Sequence, residues 1–84
     1  LDSEEQSELN NLVNQTLTET PDNVSNKWNS QKNIDTNAEI TPLNSYQINK
    51  NTCRDFTKTV NKGDKQVQEK STACRDEKGN WKII

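Results

Sequence analysis

Histidine and methionine are absent from this chain of 84 residues, glycine and proline occur twice each, and aromatic residues make up only 5%. Each shortage closes off a class of chemistry. Without histidine there is no Ser-His or Cys-His nucleophile pair and no imidazole ligand for a metal. Two glycines cannot build a Gly-rich phosphate cradle, and no serine sits in a Gly-x-Ser-x-Gly elbow. Two cysteines with no third thiol are too few for a zinc or iron–sulfur site, so no metal and no cofactor is expected. No apolar run approaches the length of a membrane span, and no signal-peptide pattern is visible. The chain starts at Leu1 rather than Met, which reads as a mature or trimmed fragment.

Apolar residues are also scarce, at 26% of the chain, and the mean hydropathy is −1.25. Taken alone, such polarity leans toward disorder. The net charge of −2 argues the other way, and two Trp, one Tyr and one Phe with scattered Ile and Val suffice for a thin core. A single domain of this size then needs a tie such as a disulfide. The charge is uneven: residues 1–40 carry eight acidic and two basic side chains, residues 41–84 five acidic and nine basic. The two halves should attract each other, as an acidic helix meeting a basic sheet. A nucleic-acid site in the basic half would want more arginine than Arg54 and Arg75, so nucleic acid is not expected as a partner.

Leu9, Leu12, Val13 and Leu17 recur at helical spacing and predict an amphipathic helix over about 3–19. Asp2 or Ser3 can cap it, Ser3 with Gln6 fits a capping box, and Pro21 stops it. From about residue 23 to 84 short β-branched segments alternate with turn clusters, predicting an antiparallel sheet. "NVSNKWNS" and "AEITPLNSYQIN" read as strands, with Val24 and Trp28 on one face, Ile40, Tyr46 and Ile48 on one face, and Pro42 at an edge or bulge.

The two cysteines lie in "NTCRDFTKTVNKGDKQVQEKSTACRD", residues 51–76. Gly63-Asp64 suits the two-residue loop of a type II′ hairpin. With those as the loop, Cys53 faces Cys74 at a non-hydrogen-bonded site where side chains approach most closely. The same register pairs Lys58 with Glu69, Val60 with Val67 and Phe56 with Ser71. A structural disulfide is the reading adopted, against reduced thiols or a redox pair, and it would stabilise the fold by roughly 3 kcal/mol. It implies an oxidising compartment. Lys78-Gly79 reads as a second two-residue turn, setting Trp81 against Asp76 and Ile83 against Cys74. A loop longer or shorter by one residue would reverse the face that Trp81 covers.

The residues that carry a resemblance are Cys53-Arg54-Asp55-Phe56, Thr59-Val60, Gly63, Ala73-Cys74-Arg75 and Gly79-Asn80-Trp81-Lys82-Ile83. Together they resemble the C-terminal domain of the rickettsial seventeen-kilodalton surface antigen family, a group of proteobacterial outer-membrane lipoproteins. Trp28-Asn29, Thr41-Pro42 and Tyr46 extend the similarity toward the N-terminus, with Asn29-Ser30 and Lys78-Gly79 departing from the family's usual Asn-Pro and Asp-Gly. The resemblance implies a lipid anchor upstream of Leu1 as the sole membrane attachment, and a place in the bacterial cell envelope on the periplasmic or surface face of the outer membrane. It implies no catalytic residues.

The expectation is thus one α+β domain over 1–84: an N-terminal helix on a four- to five-stranded antiparallel meander with one hairpin disulfide, Cys53 to Cys74. Its expected role is non-enzymatic, structural or protein-binding, with an envelope or host protein as partner and Trp28, Arg54, Arg75 and Trp81 as the candidate partner-binding surface. The alternative is a small secreted effector or inhibitor that binds a host or competitor protein. Asp55, Glu69, Asp76 and Glu77, the carboxylates nearest the sheet, read as solvated surface charge. Asn14-Gln-Thr16 and Asn23-Val-Ser25 match the glycosylation sequon, a pattern expected by chance in so Asn-rich a chain.

Overall fold

A computed structural model describes residues 2–84. Helix α1 spans Ser3–Glu19 and is followed by five strands, β1 (Asn26–Asn29), β2 (Thr36–Ile48), β3 (Asn51–Lys62), β4 (Lys65–Arg75) and β5 (Trp81–Ile83). They form one antiparallel sheet in the order β1-β2-β3-β4-β5. This is the expected helix on a meander, with five strands.

The helix begins one residue earlier than the Ser3–Gln6 box would place it. Asp2 is the cap: its carboxylate accepts from the Glu5 N–H at 2.8 Å, and the Glu5 carboxylate accepts from the Asp2 N–H at 3.3 Å. A carboxylate is a stronger acceptor for an amide than a hydroxyl, which favours Asp2 over Ser3. Gln6 bonds Asn10 instead. Leu9, Val13 and Leu17 face the sheet and join Ala38, Ile40, Phe56, Ala73 and Trp81 in the core, with Leu12, Trp28 and Val60 packed at its margin.

The hairpin β3–β4 has the register read from sequence: Cys53 opposite Cys74, Phe56 opposite Ser71, Lys58 opposite Glu69 and Val60 opposite Val67. Gly63 takes the positive φ, 63°, that the first position of a primed turn needs. The disulfide joins Cys53 and Cys74 with Cα atoms 4.0 Å apart, and no free cysteine remains.

Three strand expectations need correction. Val24 lies before β1 and is exposed, because Asn23 adopts φ 68° and donates its N–H to the Pro42 carbonyl, which delays the strand to Asn26. Ile40, Tyr46 and Ile48 do not share a face. The register slips between Pro42 and Asn44, and the extra residue, Leu43, turns Tyr46 and Ile48 to the face opposite Ile40. Finally, the last turn is five residues long, not two. Asp76 closes it by accepting from the N–H groups of Lys78 and Asn80, so Trp81 faces Arg75 and Ile83 faces Ala73. Trp81 thereby lands on the helix side, in the core.

Candidate functional site

Both ends of α1 are held by polar clusters. At the start, Glu5 is buried although charged. Its carboxylate accepts from the Ser30 hydroxyl and from the Asn33 amide at 3.1 Å, and the Ser30 oxygen in turn accepts from the N–H groups of Lys32 and Asn33. The Ser30 and Asn33 donors, with the Asp2 N–H, hold the Glu5 carboxyl below its ordinary range. Lys32 pairs with Glu4 at 2.6 Å and Asp2 at 3.4 Å across the same end. One capping box thus also anchors the β1–β2 loop.

At the other end, α1 has no basic residue in its last turn. Arg54 supplies the charge from β3. Its guanidinium donates to the Leu17 carbonyl at 2.7 Å and to Asp22 at 2.7 Å, and its side chain is 8% exposed. The cation meets the negative end of the helix dipole and satisfies a carbonyl left without an intrahelical partner. Arg54 holds the Asp22 carboxyl below the usual range, with help from the Ser45 hydroxyl. The attraction expected between the acidic N-terminal half and the basic C-terminal half takes this form at Asp22 and Arg54.

The helix leans over β1 and β2, which leaves a groove between α1 and the β4–β5 side of the sheet. It encloses about 400 Å³. Phe56, Ser71 and Ala73 floor it, Val13 and Asn14 form the helix wall, and Trp81 and Ile83 form the opposite wall. Lys58, Glu69 and Lys82 charge its rim. Trp81 is pinned to the helix at two points, its N–H on the Asn14 side-chain oxygen at 2.8 Å and its indole N–H on the Thr18 hydroxyl at 2.9 Å. Asn14, the first sequon asparagine, accepts the first of these bonds and donates its own amide to the Asn10 carbonyl at 3.1 Å. A smaller groove of about 200 Å³, lined by Leu9, Val60 and Val67, shares Lys58 and Glu69 with the first.

The four residues proposed as a partner surface fall on the helix side of the sheet without forming one exposed patch. Arg54 is buried against α1, Trp81 is core and groove wall, and Trp28 is half-buried at the far edge. Arg75 is exposed, its guanidinium lying against Gly79, whose φ of 85° suits a residue without a side chain. The carboxylates near the sheet are separated. Asp55, on the outer face, accepts from the Thr72 hydroxyl at 2.6 Å and the Tyr46 hydroxyl at 2.9 Å, and these donors hold its carboxyl below the usual range. Asp76 is held low by the backbone N–H groups of its own turn. A general acid needs its carboxyl raised toward neutrality. Every shifted carboxyl among the described residues, Asp2 included, is lowered instead. Among the described residues, no group of three His, Cys, Asp or Glu could hold a metal ion, and no helix is long and apolar enough to cross a membrane. The arrangement can accept apolar side chains between charged rims.

Residues 15–82 match the model of a family described as the 17 kDa outer membrane surface antigen. The 17 kDa surface antigen of Rickettsia bellii is 34% identical over 65 residues, in strain RML369-C and in a second sequence of that species. The match covers 76% of this chain and 40% of the relative, so the chain spans well under half the length of the curated relatives it matches. No solved structure matches. The matched stretch runs from the last turns of α1 into β5 and takes in the disulfide hairpin, Arg54, Trp81 and the groove floor of Phe56, Ser71 and Ala73, and on that extent the chain belongs to the 17 kDa outer membrane surface antigen family.

Proposed function

We propose that this domain is the non-enzymatic, partner-binding part of an outer-membrane lipoprotein of the surface antigen family, folded in an oxidising compartment of the cell envelope. The observation that carries the binding role is the groove between α1 and β4–β5, with its apolar floor of Phe56 and Ala73 and its rim of Lys58, Glu69 and Lys82. A groove of this shape fits an extended or helical segment of a protein that seats one or two apolar side chains and answers both rim charges. The Cys53–Cys74 disulfide supports the compartment.

The test places a photo-crosslinking residue at Ile83, in the groove wall, and at Thr59, on the outer face, in the bacterium that makes the protein. The expected result is a discrete protein adduct from position 83, lost when Ser71→Trp fills the groove, and none from position 59. Equal adducts from both positions would overturn the groove as the site. Thiol alkylation of the outer-membrane fraction before and after reduction checks the compartment: the cysteines should be protected until reduced, and free thiols there would sink that placement.

A further inference from the structure

The sheet has two incompletely covered edges. On one side β1 covers only Asn37–Ile40 of β2. The remainder of that edge is blunted by Pro42, by the register slip beside it, and by the Asn23 N–H on the Pro42 carbonyl. On the other side β5 covers only Ala73–Arg75 of β4, and the Ile84 N–H donates to the Thr72 carbonyl. From the hairpin turn to Ser71, β4 has β3 on one side and no strand on the other among the described residues. No proline and no register slip interrupts it.

The hydrogen-bond parity of this edge follows from the turn. Lys62 and Lys65 close a two-residue hairpin and form a hydrogen-bonded pair, so odd-numbered β4 residues turn their N–H and C=O groups toward β3. The even-numbered residues turn theirs outward. Thr72, whose outward carbonyl receives Ile84, agrees with this parity. Gln66, Gln68 and Lys70 therefore present an open row of donors and acceptors, beside Val67, which is 57% exposed.

The side chains along this edge read Asp64-Lys65-Gln66-Val67-Gln68-Glu69-Lys70. Laid antiparallel on itself about Val67, the segment is complementary at every position. Val67 meets Val67 of a second copy, Gln66 meets Gln68, Lys65 meets Glu69, and Asp64 meets Lys70. The outward parity is kept as well, since even residues oppose even residues and can exchange backbone hydrogen bonds. A shift by one pairing step in one direction sets Glu69 against Val67. A shift in the other sets Lys65 against Val67 and carries Glu69 and Lys70 past the hairpin turn of the second copy, where no strand residue opposes them. We propose that the free edge of β4 is a self-association site, pairing with β4 of a second copy of this chain about a two-fold axis through Val67. The two sheets become one, with both helices on the same face, and the closed symmetry ends the assembly at two. This goes beyond the groove reading and does not depend on it.

A single strand-to-strand contact buries less than a standard interface, so the dimer should populate at about 0.1–1 mM protein. Cysteine trapping reads the register directly. Val67→Cys sits on the axis at a non-hydrogen-bonded pair, where Cα atoms lie about 4.5 Å apart and a disulfide fits. Mild oxidation should give a disulfide-linked dimer from Val67→Cys and none from Gln66→Cys or Gln68→Cys. In sedimentation equilibrium Glu69→Lys should weaken association about tenfold or more by setting Lys against Lys65, and Lys65→Glu with Glu69→Lys should restore it. Should Glu69→Lys disturb the hairpin, Gln68→Pro removes one outward donor with the N–H toward β3 untouched, and should also abolish the dimer. Val67→Cys remaining monomeric, Gln68→Cys cross-linking in its place, or the double charge exchange failing to restore association would each overturn the proposal.

Discussion

The two faces of the sheet are held by different physics. On the helix side, Ala38, Ile40, Phe56, Ala73 and Trp81 are buried under Leu9, Val13 and Leu17, and two charges there, Glu5 and Arg54, are buried with their partners. The outer side carries Asn, Thr, Gln and Lys. Asn61 donates to Asn37 and Gln66 donates to Asn61 along one row of opposed residues, while Tyr46 and Thr72 converge on Asp55. The disulfide also lies on this side, since Cys53 alternates with the inward-facing Arg54 and Phe56. A chain with 26% apolar residues has enough to cover one face. The other face is held by a covalent bond and by polar pairing, and substitutions separate the two modes.

The largest effect is expected from Phe56→Ala, which opens a cavity under the helix. It should cost about 3–5 kcal/mol in denaturant unfolding, enough to leave so small a domain largely unfolded at 37 °C. Replacing both cysteines by serine removes the outer-face tie and should cost about 3 kcal/mol, by releasing the unfolded chain from its loop. Far-UV circular dichroism should retain the sheet signature at low temperature, because the helix-side core is untouched. Next comes Arg54→Met, at about 2–3 kcal/mol, since the Leu17 carbonyl and Asp22 lose their donor; hydrogen exchange should quicken in the last turn of α1 before it does so in β3.

Glu5 makes the helix-side anchoring sensitive to pH. Its carboxyl is held low in the folded state by Ser30, Asn33 and the Asp2 N–H, against an ordinary value of 4.5. A depressed folded-state value means that the unfolded chain binds the proton more readily, so the stabilisation is present above the ordinary value and fades as pH falls through the folded one. Thermal midpoints should therefore drop from about pH 5 downward, and Glu5→Gln should flatten that slope while lowering the midpoint at neutral pH. Smallest is Thr59→Val on the outer face, within about 0.5 kcal/mol of wild type. A large loss there would show that the polar face carries more of the stability than its chemistry suggests.

The hairpin β3–β4 was legible residue by residue because its turn is marked by glycine and its register is checked by three independent pairs. The hairpin β2–β3 was not. Its loop residues, Asn49 and Lys50, both adopt positive φ, 50° and 72°, a conformation that lysine gives no warning of. Leu43 was missed as the extra residue because a slip leaves no trace in a strand whose second half is exposed on both faces. The burial of Glu5, and of Arg54, expected on a partner-binding surface, was hidden for a different reason: a charged residue is buried only when distant partners exist to receive it, here Ser30 and Asn33 for one and Leu17 and Asp22 for the other. One signal was available for Arg54. It stands two residues before Phe56 along β3, and a strand that turns Phe56 toward the helix must turn Arg54 there too.

The covalent ring closed by Cys53 and Cys74 contains the whole of the exposed hairpin tip, with 21 residues of separation between its ends. Protease nicking favours exposed loop tips, and Gly63-Asp64 is one. A single cut there would leave both halves joined through sulfur and paired across the sheet. The clipped protein would migrate as one piece without reductant and as two with it. A domain built this way can take damage at its most accessible point and keep its core, its groove and its covalent continuity.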